Sequence, residues 1–207
     1  MKKISKEVRL QMEKVMKKIY IVMTQTATLL SRVIKIYSGC KYAHVSLSLD
    51  KNLDEMYSFG RLNPYNPFWG GFIHEKVNSG TFKRFKNTVA GIEEFEVTDE
   101  QYDNIKNIIK KMEERINPYR FNILGLIGAG FNISVHMKDH FYCAEFIKYL
   151  LEAGGVKVSL PKIVAPDDFM TIPNTKMIYM GKLSKYRESL TEVYDIKLEK
   201  EEKRNIG

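Results

Sequence analysis

Apolar residues recur with two different periods along the chain, and each period predicts a different kind of element. Near the N-terminus, Val8 and Met12 begin a helical spacing that predicts an amphipathic helix over about 5–18. The stretch "YAHVSLSL" alternates strictly instead, which is typical of a strand. A polar turn joins it to "DEMYSFG", so the two segments are predicted to form a hairpin.

The rest of the chain continues in the same mixed pattern. Four more runs are typical of strands: "KIYIVMTQ", "GFIHEKV", "TVAGIEEFEV" and "KMIYMGKL". The stretch "RLNPYNPFWGG" is rich in Pro, Asn and Gly and predicts a loop. Thr98 and Gln101 form the pattern of a capping box that opens a long helix ending before Pro118. A further helix is predicted from about 141 to 153 and is stopped by two glycines.

Together these elements predict an α+β fold in which a central antiparallel sheet or partial barrel is packed by helices. The chain has 207 residues, of which 44% are hydrophobic, and this suits one domain with a sizeable core. We expect a single domain over 1–207 with its core at about 18–183. The N-terminal helix precedes that core, and a charged tail at about 186–207 follows it.

The charge pattern limits the classes of partner. The formal net charge is +8, but acidic residues lie among the lysines in two of the three densest basic segments, as on a solvated helix face. No nucleic-acid-binding module accompanies these segments, so no nucleic-acid partner is predicted. A weak association with an anionic membrane surface is compatible with the positive charge.

The compartment is predicted from the cysteines and the apolar runs. Cys40 and Cys143 lie far apart and make no disulfide framework, which favours a reducing compartment. The N-terminus lacks the pattern of a secretory signal, and the longest apolar stretch is too short and too interrupted by Asn to span a bilayer. We therefore expect a cytoplasmic protein.

Candidate chemistry begins with Cys143 in "FYCAEFIKYLLEAGG". On the predicted helix this residue occupies the first turn, on the apolar stripe that contains Phe146, Ile147 and Leu150. The unpaired N–H groups and the dipole at a helix start favour a negative charge, and hence a thiolate. The alternative interpretation is a small buried hydrophobic residue, which describes most free cysteines.

A thiolate nucleophile needs a base, and His44 is the best candidate. It lies on the face of "YAHVSLSL" that carries small polar residues, which leaves room for a helix end to approach. His74 is interpreted as a surface or packing residue, and Cys40 as an incidental loop cysteine with a redox role as its alternative.

A different hypothesis uses the histidines beside Cys143. His136 and His140 are one helical turn apart, and Cys143 lies three residues further on, which is a plausible set of three metal ligands. No fourth ligand is evident and the stretch crosses a predicted helix start, so we predict neither a metal nor another cofactor.

The order of a histidine strand followed by a late cysteine helix resembles one known family. The matching stretches are "TQTATLLSRVIK", "YAHVSLSLDKNLDEMYSFGR", "VTDEQYDNI", "YRFNILGL" and "FYCAEFIKYLLEAGG". They resemble the circularly permuted NlpC-like papain-fold cysteine hydrolases of the YiiX type, which are distantly related to lecithin–retinol acyltransferase. The resemblance implies a permuted papain-like fold, with Cys143 as nucleophile and His44 as general base.

Relatives in that family usually carry a polar residue on the strand after the histidine strand, where it orients the imidazole. Here that strand reads "DEMYSFG", which offers Ser58 or Glu55. Which of them shares the face of His44 depends on the hairpin register. The family pattern favours Ser58, although Glu55 would be the stronger chemical partner.

The implied reaction is acyl transfer by a thiol hydrolase, preferably an amidase or peptidase, without a cofactor. Its substrate would be a peptide, a peptidoglycan fragment or an acyl lipid. The alternatives are a catalytically inactive binding module on the same fold and a lipid acyl hydrolase or transferase. The aromatic residues of "RLNPYNPFWGGF", including Trp69, would line a substrate cleft or pack as a lid. The oligomeric state has no sequence signal.

Overall fold

A computed structural model describes residues 16–26, 39–63, 66–114, 120–122, 140–192 and 194. Within this part of the chain, eight strands form one sheet. They are β1 (Met16–Gln25), β2 (His44–Ser48), β3 (Met56–Asn63), β4 (Asn66–Glu75), β5 (Val89–Thr98), β6 (Arg120–Phe121), β7 (His140–Phe141) and β8 (Thr175–Lys182).

The sheet has the order β7-β6-β4-β3-β2-β1-β5-β8. The six long strands pair antiparallel with their neighbours, whereas the two-residue strands β6 and β7 pair parallel with each other. The predicted hairpin of β2 and β3 is confirmed, with Ser48 paired to Met56. The expectation of a loop over 61–71 is wrong, because β3 and β4 continue toward each other until Asn63 pairs with Asn66.

The α-helices α1 (Gly80–Arg84), α2 (Asp99–Glu114) and α3 (Cys143–Ala153) accompany the sheet, and a further helical segment covers 186–192. The capping box that was predicted for α2 is confirmed. The backbone N–H of Thr98 donates to Gln101 Oε1 at 2.9 Å, and the Gln101 N–H donates to Thr98 Oγ1 at 3.2 Å. Short 3₁₀ helices cover Pro166–Thr171 and Leu183–Lys185.

Apolar side chains bury both faces of the sheet. The larger cluster joins odd-numbered residues of β1, β2, β3 and β5 to the apolar stripes of α2 and α3. Even-numbered residues of β1, β3 and β5 form a smaller cluster with residues such as Val77, Phe82 and Tyr186. The strand β1 accordingly carries a near-continuous apolar run, whereas β2 alternates between apolar and polar residues.

These observations establish the α+β class and correct two of the predicted boundaries. The predicted helix over 5–18 lies mostly outside the described residues, and positions 16–18 belong to β1. The core also extends past the predicted start of the charged tail, because Tyr186 is buried and opens a helical segment over 186–192. No helix in the described part of the chain is long and apolar enough to cross a membrane.

Candidate functional site

Cys143 is the first residue of α3, as the sequence pattern predicts. The preceding residue, Tyr142, has extended backbone angles and accepts the first helical hydrogen bond from Phe146 N–H at 3.0 Å. The Cys143 side chain is buried against the same apolar stripe as Phe146 and Leu150. Burial against the sheet therefore places the thiol at the end of a helix whose first N–H groups favour negative charge.

His44 is the first residue of β2, paired with Thr24 of β1. The backbone just before it is held from another part of the chain. The Asp167 carboxylate, in the first turn of the 3₁₀ helix, accepts the Lys41 N–H at 2.5 Å and the Tyr42 N–H at 2.9 Å. Two hydrogen bonds to the half-buried Asp167 carboxylate thus fix the backbone that leads into β2.

Glu75, the last residue of β4, is the partner of the His44 ring. His44 Nε2 lies 3.0 Å from Glu75 Oε1 and 3.3 Å from Oε2. Because an ionised carboxylate only accepts hydrogen bonds, Nε2 carries the hydrogen and Nδ1 is the nitrogen left to act on another group. The side chains of His44 and Glu75 are 21% and 9% exposed, so this contact is largely shielded from water.

The thiol of Cys143 is the second group that acts on His44. Burial by itself lowers the pKa of His44, but the Glu75 carboxylate and the Cys143 side chain outweigh it and raise that pKa to about 10. Burial likewise raises the pKa of Glu75, yet the imidazolium of His44 and the hydroxyls of Ser46 and Ser58 bring it below its usual value. The site therefore favours a charged imidazolium next to an ionised carboxylate.

The sequence prediction for the third residue needs a correction. Continuing the β2–β3 register places His44 opposite Gly60 and Ser46 opposite Ser58, so Ser58 does share the face of His44. The hydrogen bond predicted between Ser58 and the ring is not formed, because the buried Ser58 hydroxyl has no hydrogen-bond partner among the described residues and Glu75 takes the place beside Nε2.

The alternative, Glu55, is not beside the ring either. It precedes β3, and its backbone N–H donates to Asp50 Oδ2 at 2.6 Å in the hairpin turn. Both predicted orienting residues are therefore replaced by a residue one strand further along the chain.

One sequence signal could have revealed Glu75. Alternation in "GFIHEKV" places Ile73 and Glu75 on one face of a strand, and an acid on an otherwise buried face requires a charged or hydrogen-bonding partner. The sequence does not show that His44 is the partner of this acid, because the two residues are 31 positions apart in the chain.

The remaining candidates lie elsewhere. His74 Nε2 is 2.7 Å from the carbonyl oxygen of Asp54, and its ring stacks on Tyr57, in keeping with a packing role. Cys40 lies in a partly exposed segment before β2. His140 is in β7, whereas His136 and the side chain of Trp69 lie outside what the structure describes. Among the described residues, no group of three potential ligands could hold a metal ion.

Comparison of the sequence with protein-family models and with curated proteins gives no match.

Proposed function

We propose that the protein is a cysteine hydrolase with a permuted NlpC-type papain-like fold, in which Cys143 is the nucleophile, His44 the general base and Glu75 the group that orients the base. The observation that carries the proposal is the His44–Glu75 contact at 3.0 Å, and the position of Cys143 at the start of α3 and its effect on the pKa of His44 support it. The chain order of histidine strand before cysteine helix also supports the permuted arrangement.

Each residue has a defined part in the reaction. The Cys143 thiol gives its proton to His44 Nδ1, and the resulting thiolate attacks a substrate carbonyl to form a C–S bond. The imidazolium then returns the proton to the leaving group as the acyl bond breaks. Water, activated by the same imidazole, hydrolyses the thioester and restores the thiol. Glu75 stabilises the imidazolium in both half-reactions because it accepts from Nε2.

The helix start contributes to stabilising the tetrahedral intermediate. Its oxyanion forms next to the Cys143 sulfur, where the backbone N–H of Cys143 at the helix start serves as one donor. The partial positive charge of the helix end adds to this stabilisation. The chemistry requires neither a metal nor an organic cofactor, because thiolate and imidazole supply nucleophile and proton transfer.

Amide substrates, either peptides or peptidoglycan fragments, are our first choice, and acyl lipids are the second. Glu75 also weakens the case for an inactive binding module, because its carboxylate gives His44 the orienting partner that a serine would supply only weakly. Neither Ser58 nor Glu55 of the β2–β3 hairpin orients the imidazole, and the Glu75 carboxylate from β4 does so instead.

Selective alkylation tests the proposal without knowledge of the substrate. Iodoacetamide at neutral pH should modify Cys143 well before Cys40, measured by peptide mass spectrometry over time. The comparison is stringent, because Cys143 is buried whereas Cys40 is partly exposed. Accessibility alone would give the opposite order, so faster labelling of Cys143 reports its thiolate character.

His44→Ala should remove this preference, because the thiolate then loses its imidazolium. The matched control is His74→Ala, which removes a histidine on β4 whose Nε2 lies 2.7 Å from the carbonyl oxygen of Asp54, outside the site. Preferential labelling of Cys40 in the unmodified protein, or equal effects of the two histidine substitutions, would contradict the proposed nucleophile and base.

A further inference from the structure

Two buried serines lie between the imidazole and the carboxylate of the site. Ser46 of β2 and Ser58 of β3 face each other when the hairpin register is continued, and both are fully buried. His44 lies at the next position along this face on one side, and Glu75, paired with Met56, on the other. The paired serines, called here the serine row, therefore lie on the sheet face between the positions of His44 and Glu75.

Ser46 contacts both charged groups. Its hydroxyl donates a short hydrogen bond to Glu75 Oε2 and lies 3.4 Å from His44 Nε2. His44 Nε2 is nearest to Glu75 Oε1, at 3.0 Å, and lies 3.3 Å from Oε2, so His44 contacts both carboxylate oxygens and Ser46 contacts Oε2. This arrangement determines the rotation of the carboxylate as well as its position.

Ser58 and Gly60, both on β3, lie beside the His44 ring. A methyl group at Gly60 would lie 3.4 Å from His44 Cε1 and 3.5 Å from Ser58 Oγ, so the ring and this hydroxyl converge over the glycine. Ser58 lies close enough to Glu75 to lower the pKa of that carboxyl, although its geometry falls short of a hydrogen bond. Ser58 therefore brings a second buried hydroxyl, from β3, to the same part of the sheet face as the His44 ring.

We propose that Ser46, assisted by Ser58, is a positioning residue that holds the Glu75 carboxylate ionised and in the orientation that His44 requires. This inference rests on the proposed function of the site. A buried carboxylate with a single charged partner leaves acceptor sites unfilled, and filling them with hydroxyl donors favours its charged form. The titratable groups that dominate this environment are His44 on β2, Glu75 on β4 and Cys143 on α3.

The test is the pH dependence of Cys143 alkylation by iodoacetamide. As the pH falls, Glu75 becomes protonated and no longer stabilises the imidazolium of His44. The Cys143 thiolate then loses its charged partner, and alkylation slows. This fall in rate is the acid limb of the pH profile. In Ser46→Ala this acid limb should move to higher pH by about one pH unit, because the carboxylate loses a hydrogen bond that stabilises its charge. Ser58→Ala should shift it in the same direction by less.

Ser48→Ala is the matched control. Ser48 is equally buried on the same strand and face, but its hydroxyl donates to the Asp50 carbonyl oxygen at 2.9 Å, outside the site. Its loss should leave the acid limb in place. Ser46→Thr, which keeps a hydroxyl, should restore most of the wild-type profile, whereas a purely structural role for Ser46 would change stability without moving the limb.

A second measurement separates this inference from the proposed function. The acid-side inflection of the His44 ring in an NMR titration reports protonation of Glu75 whether or not Cys143 is reactive. A shift in Ser46→Ala but not in Ser48→Ala supports the inference by itself. If Cys143 is selectively reactive and His44→Ala abolishes this, but Ser46→Ala shifts neither the limb nor the inflection, the inference is overturned and the proposed function stands.

Discussion

At the scale of single residues, the main feature of the candidate site is the charge on Glu75. Desolvation opposes ionisation of both Glu75 and His44, yet the two groups are 3.0 Å apart and mutually stabilise their charged forms. Breaking such a pair by removing one partner leaves the other charge buried and unpaired, which is usually more destabilising than never having formed the pair.

We predict that Glu75→Gln destabilises the fold in a pH-dependent way. The pKa of His44 is raised from 6.5 to about 10, so its contribution to stability is complete below about pH 6.5 and is lost as pH rises through about 10. The lowered pKa of Glu75 makes its contribution complete above about pH 4.5 and lost as pH falls below that value. The advantage of the wild-type protein should therefore be largest between these limits.

Denaturant unfolding across the pH range measures this difference. The advantage should fall by at most about 1.4 kcal/mol per pH unit as pH increases above 6.5. Exposed Glu96→Gln is the matched control and should show no such slope. A pH-independent difference for Glu75→Gln would mean that the pair is not ionised in the folded protein.

At the scale of elements, the site depends on contacts between parts of the chain that are distant in sequence. The 3₁₀ helix Pro166–Thr171 uses its two acids differently. Asp168 caps its own helix by accepting the Ala165 N–H at 2.7 Å, whereas Asp167 accepts two N–H groups just ahead of β2. One acid therefore serves local structure, and the other connects the helix to the histidine strand.

Asp167→Ala is expected to reduce the free energy of unfolding by about 1–3 kcal/mol, because two backbone N–H groups lose a charged acceptor. It should also slow Cys143 alkylation, since His44 lies two residues beyond Tyr42. Asp168→Ala is the comparison, with a loss of stability but little effect on alkylation. Equal effects on alkylation would argue that Asp167 does not position the histidine strand.

For the whole molecule, the proposed chemistry predicts independence from metal ions. Thiolate and imidazole perform nucleophilic attack and proton transfer without a Lewis acid. Treatment with a chelator should therefore change neither the melting temperature nor the rate of Cys143 alkylation. Stoichiometric zinc in the purified protein, lost in His136→Ala or His140→Ala, would favour the metal-binding alternative instead.

Local pattern was sufficient for several of the elements and for the positions of two candidate site residues, His44 on a strand and Cys143 at a helix start. Strict alternation predicted β2, a capping box predicted the start of α2, and the turn between β2 and β3 predicted their hairpin. Cys143 was identified because a helix start is visible in the sequence. These features depend on contacts within a few residues, which is why the sequence alone determines them.

The partner of the imidazole was decided only by the tertiary structure. Glu75 reaches His44 because two successive registers, β2 with β3 and β3 with β4, bring the two side chains to the same face of the sheet, one on each side of the serine row. The register of β3 with β4 depends on the segment 61–71, which local composition predicted as a loop but which continues both strands. A one-residue slip in either pairing would turn the carboxylate to the opposite face, and no local pattern encodes that choice.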